Sequence, residues 1–368
     1  MPGYDVNISR PLTSRPVEHL GLVGLPNSGK SSLFNALTGA DSLVAPHPFS
    51  TVETTKGLAQ VPDERLQQLA VMSESRKIVP AGAEILDIAA LVQGANAGEG
   101  LGNRFLGSLR DCDAILYVLR AFEDPSISGS SDPQNDLAAL ELELVMADLE
   151  SIQQRLSKQQ RTMKGDKSLA AEVAALQKAE HALNEGTPIY RSDLNADERA
   201  LLEPVFLLTN KPVLFVVNIG EDQLDKADEL TEPLGESAVA VCVQLEAEAA
   251  KLDATERTEM LEGLGLGEGV VPRVAKAAYH SLGLRTFFTT GDTESRAWTF
   301  RAGSNAAECA GVIHSDLQRG FIRAEVIHWD ELLEIGSWTK ARDVGKLRLE
   351  GKDYEVADGD VLEIRFNV

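Results

Sequence analysis

The residues Gly24-Leu25-Pro26-Asn27-Ser28-Gly29-Lys30-Ser31 follow the spacing G-x-x-x-x-G-K-[ST]. That spacing serves the grip of a polyphosphate. Its glycines let the backbone curl so that successive N–H groups point inward as a nest for anionic oxygens. The N-terminus of a following helix adds its dipole. Lys30 is placed to reach the β- and γ-phosphates, and the Ser31 hydroxyl is a hard oxygen ligand for Mg²⁺. The phosphates are expected to be held by Lys30 and by the backbone of Asn27, Ser28, Gly29, Ser31 and Ser32. Downstream, Asp87 closes the run Glu84-Ile85-Leu86, a position from which a carboxylate faces the metal through water. A lone Asp at a strand end is more often a cap; its separation from the phosphate loop favours the metal role. Thr51, in Pro48-Phe49-Ser50-Thr51, falls where switch nucleotidases close a Thr over Mg²⁺ and the γ-phosphate, although Thr in a loop is commonplace. Lys30, Asp87 and Thr51 are therefore the residues expected to carry the reaction, with Ser31 and Thr51 as direct metal ligands.

Such a loop has to be strung between a strand and a helix. Short runs rich in Val, Ile and Leu recur at His19–Gly24, Ala83–Ile88, Asp113–Leu119, Pro212–Asn218 and Ala238–Val243. Each ends in Gly, Asn, Asp or charge, the signature of buried parallel strands. Helical stretches such as Ser31–Leu37 and Asn103–Arg110 lie between them, so the expected class is α/β with a mostly parallel sheet. Between 134 and 200 the pattern changes. Leu142, Val145, Leu149, Ile152 and Leu156 form one helical stripe. Leu169, Val173, Leu176 and Leu183 form a second after a polar break at Ser157–Ser168, which predicts an antiparallel coiled-coil hairpin. The strand run at Pro212 makes that hairpin an insertion. Beyond Arg285 the sequence reads as short strands and turns. Tyr354 and Val356 lead through Asp358-Gly359 into Leu362, Ile364 and Phe366, which predicts a β-hairpin.

The chain has 368 residues and a net charge of −22, with 43% apolar and 25% charged residues. This length calls for two or three domains. The acidity disfavours a broad nucleic-acid-binding surface, so RNA would be met only through local contacts. Residues 285–368 are milder, with 11 Lys and Arg against 15 Asp and Glu. Cys112, Cys242 and Cys309 are far apart and read as reduced thiols. No apolar run approaches the ~18 residues of a membrane span. Residues 1–16 read as a flexible leader without a secretory h-region.

The string at 24–31 resembles the first motif of the Obg-like ATPases, the YchF family of translation-factor-related P-loop GTPases and ATPases. So do the glycine-rich run Gly94–Asn103 and Arg296-Ala297-Trp298-Thr299. Gly311-Val312-Ile313-His314 through Phe321-Ile322-Arg323-Ala324-Glu325, and Leu347-Arg348-Leu349-Glu350-Gly351-Lys352-Asp353-Tyr354, resemble that family's C-terminal TGS domain. The resemblance implies a nucleotide-binding domain split over 17–133 and 201–284, the hairpin at 134–200, and a ubiquitin-like β-grasp TGS domain at 285–368. It implies a cytoplasmic switch protein that binds ATP, hydrolyses it slowly with Mg²⁺, and engages the ribosome (its 50S subunit) or translation factors.

Guanine selection in the wider class uses Asn-Lys-x-Asp. Here the corresponding strand end reads Asn218-Ile219-Gly220-Glu221, without the Lys. This favours ATP and makes Asn218 and Ile219 the expected base contacts. Three departures bear on catalysis. The family's Asp-x-x-Gly appears as Asp87-Ile88-Ala89-Ala90, Leu91 stands where many small GTPases carry a Gln, and Glu123–Pro133 lacks the family's His. A non-hydrolysing ATP-binding interaction module and a GTPase are the alternatives.

Overall fold

The computed structural model describes residues 19–39, 45–46, 55–88, 101–163, 165–235, 238–264, 266, 269 and 271–367. Thr51, Ala90 and Leu91 lie outside the described residues. The chain forms two compact units, residues 1–58 with 84–274, and residues 59–83 with 275–368.

The strands are β1 His19–Val23, β2 Ala45–Pro46, β3 Thr55–Val61, β4 Lys77–Val79, β5 Ala81–Asp87, β6 Ala114–Arg120, β7 Val213–Asn218, β8 Ala238–Val241, β9 Leu284–Thr289, β10 Glu294–Arg301, β11 Phe321–His328, β12 Arg348–Glu350 and β13 Asp360–Phe366. A seven-stranded sheet has the order β2-β3-β5-β1-β6-β7-β8. β1 pairs parallel with β5 and β6, and β6, β7 and β8 continue in parallel. The apolar runs read from the sequence are these parallel strands. All seven residues of β6 are buried, because a central parallel strand is covered on both faces.

Helix α1 (Lys30–Thr38) buries Leu33, Phe34 and Leu37. α2 spans Glu64–Met72, α3 Leu101–Arg110, α4 Pro133–Met163 and α5 Ala170–Asn184. α4 and α5 form the expected antiparallel hairpin, whose core holds Val145, Ile152, Leu156, Val173, Leu176 and Leu183. Two details differ from the sequence reading. Leu142 is 54% exposed, whereas Leu137, Leu140 and Leu144 are buried with Tyr117 and Phe215 of the sheet. The first turns of α4 face the sheet rather than α5, which rotates the buried stripe. The polar stretch from Ser157 also stays helical as far as Met163, since Lys, Gln and Arg are good helix formers.

A buried carboxylate ties the hairpin to the segment that leads into β7. Asp148 is 0% exposed and accepts from Leu208 N at 2.9 Å, Thr209 N at 2.7 Å and Thr209 Oγ1 at 2.7 Å. Burial raises its pKa, and these three donors oppose the shift. Glu141 accepts from the Tyr190 hydroxyl and, at 3.2 Å, from Arg191.

In the second unit six strands form a mixed sheet of order β12-β11-β13-β9-β10-β4. Helices Ala306–Ile313, Ser315–Arg319, Trp329–Ile335 and Trp338–Asp343 separate its later strands. Phe287, Phe300, Cys309, Val326 and Leu362 centre its core, a β-grasp arrangement of helix on sheet. The Asp358-Gly359 hairpin does not form: β13 pairs antiparallel with β11 and parallel with β9. Asp358 instead accepts from Thr286 N and from Arg65, both at 2.8 Å, while Gly359 turns the chain at φ 94°.

Candidate functional site

The loop from Gly24 to Gly29 joins β1 to α1. Its conformation requires glycine at both ends. A Cβ on Gly24 would lie 2.5 Å from Ser28 Oγ and 2.7 Å from Val118 O, and Gly29 has φ 90°. Asn27 also adopts positive φ, 65°, which Asn tolerates better than most residues. Gly29 caps α1 without a side-chain hydrogen bond, and the first turn carries no acidic residue. The first-turn amides of α1 therefore have no capping side chain to satisfy them, which suits an anion. The Ser28 hydroxyl is 2% exposed and has no hydrogen-bond partner among the described residues, an orphan donor inside the loop.

The β1–β5 register places Leu22 opposite Asp87, which brings the end of β5 beside the start of the loop. Lys30 Nζ is ion-paired with Asp87 Oδ1, and Ser31 Oγ donates to Asp87 Oδ2 at 2.7 Å. Three of the residues expected to act together are thus one cluster. Lys30 is 7% exposed, whereas Ser31 and Ser32 face solvent. The donor set fits Mg²⁺. One hydroxyl and one carboxylate are hard oxygens in hydrogen-bond contact, and Mg²⁺ commonly takes one or two protein oxygens and completes its shell with phosphate and water. No group of three or more His, Cys, Asp or Glu forms a dedicated cage among the described residues.

Asn218, at the end of β7, is 4% exposed and braces the loop. Its Nδ2 donates to Ser28 O at 3.0 Å, and its Oδ1 accepts from Val243 N at 3.2 Å, at the start of helix Val243–Ala249. Ile219 is 3% exposed in an apolar cluster with Ala121, Val217, Cys242 and Leu245. The sequence reading did not foresee this bracing. Burial pushes the Cys112 thiol up to about 12, and raises Cys242 and Cys309 as well, which disfavours the nucleophilic thiolate.

A family model described as "50S ribosome-binding GTPase" matches residues 19–161. The model YchF-GTPase_C, described as a protein of unknown function, matches residues 284–367. The "Ribosome-binding ATPase YchF" of Bacillus subtilis (strain 168) is 43% identical over 361 residues, covering 95% of this chain and 99% of that protein. Its namesake in Escherichia coli O157:H7 is 42% identical over 358 residues, with the same coverage of 95% and 99%. The solved structure of the Schizosaccharomyces pombe YchF GTPase superposes with a TM-score of 0.82 at 31% identity, covering 97% of this chain and 99% of that one. With nearly its whole length matched at this identity, the chain belongs to the YchF family.

Proposed function

We propose that this protein is a cytoplasmic ATP-binding switch that hydrolyses ATP to ADP slowly with Mg²⁺ and associates with the ribosome through its large subunit. The observation that carries the reading is the clustering of Lys30, Ser31 and Asp87 at the mouth of a glycine-bounded loop. In a chain of net charge −22, a polyanionic ligand needs such local compensation. Lys30 and the Asn27–Ser32 backbone hold the phosphates. Ser31 and Thr51 would hold Mg²⁺ directly, with Asp87 supporting it through water, and the ion would supply neutralisation of phosphate charge. The sequence offers no evident general base, in keeping with a reaction driven by positioning and charge. Domain roles follow the partition at 17–133 with 201–284, 134–200 and 285–368, except that residues 59–83 fold into the compact unit of 275–368.

Base choice rests on Asn218-Ile219-Gly220-Glu221, where the Lys and Asp of the guanine clamp are missing. Asn218 and Ile219 border the base, Asn218 keeping one N–H and one lone pair beyond those spent on Ser28 and Val243. Ribosome association is proposed because relatives matched over their whole length carry that name. Among the described residues no helix is long and apolar enough to cross a membrane. The test is nucleotide competition together with ribosome co-sedimentation. ATP should bind several-fold tighter than GTP, and the protein should pellet with the large subunit in a manner that depends on residues 134–200 or 285–368. GTP displacing labelled ATP at equal or lower concentration would overturn the base assignment. A second reading, ATP binding without turnover, is favoured by Ala90 and by the missing His in Glu123–Pro133, and is decided by a turnover assay.

A further inference from the structure

Arg120 ends β6 and is 3% exposed. Burying a guanidinium is costly unless its donors are satisfied. Here they serve backbone carbonyls of the segment that follows. Nε donates to Phe122 O at 3.1 Å, Nη1 to Ser128 O at 3.3 Å, and Nη2 to Ile127 O at 3.4 Å. The guanidinium carbon lies 4.5 Å from the centre of the Phe122 ring. The same Ser128 carbonyl accepts from Asn27 Nδ2 of the phosphate loop at 3.2 Å. Asn27 is one of the three described non-glycine residues with positive φ, a conformation that needs support from its surroundings. The segment is also closed on itself, since Asp124 Oδ1 accepts from Ser126 N at 2.8 Å and from Ser126 Oγ at 2.6 Å. Four residues after Ser128, Asp132 caps α4 by accepting from Gln134 N and Asn135 N, both at 3.1 Å.

We propose that Arg120 is a positioning residue for the nucleotide site. It holds residues 122–129 as a strap whose Ser128 carbonyl fixes Asn27, slows nucleotide release, and links the phosphate loop to the first turn of the helical hairpin. A buried cation serving carbonyls spread over seven residues fixes the course of a short segment that has no secondary structure of its own. Sharing one of those carbonyls with Asn27 makes the loop conformation depend on the strap, and α4 starts where the strap ends. The inference rests on the reading that nucleotide binds at Gly24–Ser32.

The experiment compares the parent with Arg120→Gln, Arg120→Lys and Asp124→Ala in the full chain. Three quantities are read: the release rate of methylanthraniloyl-ADP, amide hydrogen exchange at 27–29 and 133–136 without nucleotide, and the urea unfolding midpoint. Arg120→Gln should release the probe about tenfold faster, the worth of one charge-assisted hydrogen bond. Arg120→Lys should fall between it and the parent. Asp124→Ala loosens the strap from its exposed side, so its release should be about threefold faster at an unchanged midpoint. Exchange should quicken in both segments together. Release within twofold of the parent in Asp124→Ala, with exchange unaltered, would overturn the proposal even if Arg120→Gln fails to fold. A parent that does not bind the probe, with exchange at 27–29 still responding to the substitutions, would sink the nucleotide reading and leave the strap standing.

Discussion

Asn218 occupies the space that any side chain at position 29 would need: a Cβ built on Gly29 lies 2.1 Å from Asn218 Nδ2. The amide that excludes it bonds the adjacent Ser28 carbonyl at 3.0 Å. The glycine of the phosphate loop and the asparagine of β7, far apart in sequence, are therefore one structural unit.

Gly29→Ala meets both this clash and φ 90°, and should destabilise the fold by about 2–4 kcal/mol while weakening ATP binding beyond detection. Asn218→Ala leaves Val243 N and Ser28 O without their partner and should cost about 1–3 kcal/mol. Because the two sites share one contact, the double variant should be less destabilised than the sum of the singles. Chemical unfolding of all four proteins checks this, and strict additivity would show that the contact carries no coupling.

Lys30 and Ser31 both bond Asp87, so a triphosphate gripped by Lys30 competes with that carboxylate. Asp87→Asn removes the competing charge. ATP affinity measured in EDTA should be no weaker than the parent's, whereas the gain in affinity on adding Mg²⁺ should shrink by about tenfold or more. Isothermal titration with and without Mg²⁺ separates these effects. An undiminished gain would rule out a metal-facing role for Asp87.

Glu325, on β11, accepts from Arg342 at 2.7 Å. That hydrogen bond, opposed by desolvation and aided by the charges of Arg342 and Arg365, lowers its pKa. A carboxyl with a depressed folded-state pKa contributes stability that is fully present above its unfolded value of about 4.3 and is lost as pH falls through the folded value. Glu325→Gln should therefore be less stable than the parent by about 1 kcal/mol at pH 7, and the gap should narrow as pH falls below about 4.3 and close below the depressed folded value. Urea unfolding between pH 7 and pH 3 reads both quantities, and a gap that stays constant with pH would contradict the assignment.

Ala90 replaces the glycine that, in the family pattern, offers its N–H to the γ-phosphate. Alanine keeps the N–H, and a left-handed backbone there would cost it roughly 1–2 kcal/mol, enough to shift a two-state balance by about tenfold. Ala90→Gly should change the ATP/ADP affinity ratio or the single-turnover rate by at least about threefold. Identical values for both would direct attention to Leu91 and to the histidine-free segment at 123–133.

The phosphate loop, the parallel strands and the helical hairpin were legible in the sequence because each is encoded locally. Gly24 to Ser31 is contiguous, β6 is an unbroken apolar run, and Val145, Ile152 and Leu156 repeat at helical spacing. What lay beyond reach was the identity of each side chain's partner. Periodicity shows that α4 is amphipathic. Only the sheet decides that Leu140 is buried and Leu142 exposed, because α4 changes neighbours along its length. Asp358-Gly359 is a turn by composition, yet strand pairing sends the following residues to β11 and β9, and no local signal ranks those partners. Nothing near Lys77 announces that β4 joins β10, more than two hundred residues later. Asn218 and Arg120 end their strands with polar groups that sequence alone would read as caps. Burial turns them into a brace and an anchor, because a polar group removed from water must find its partners wherever the fold brings them.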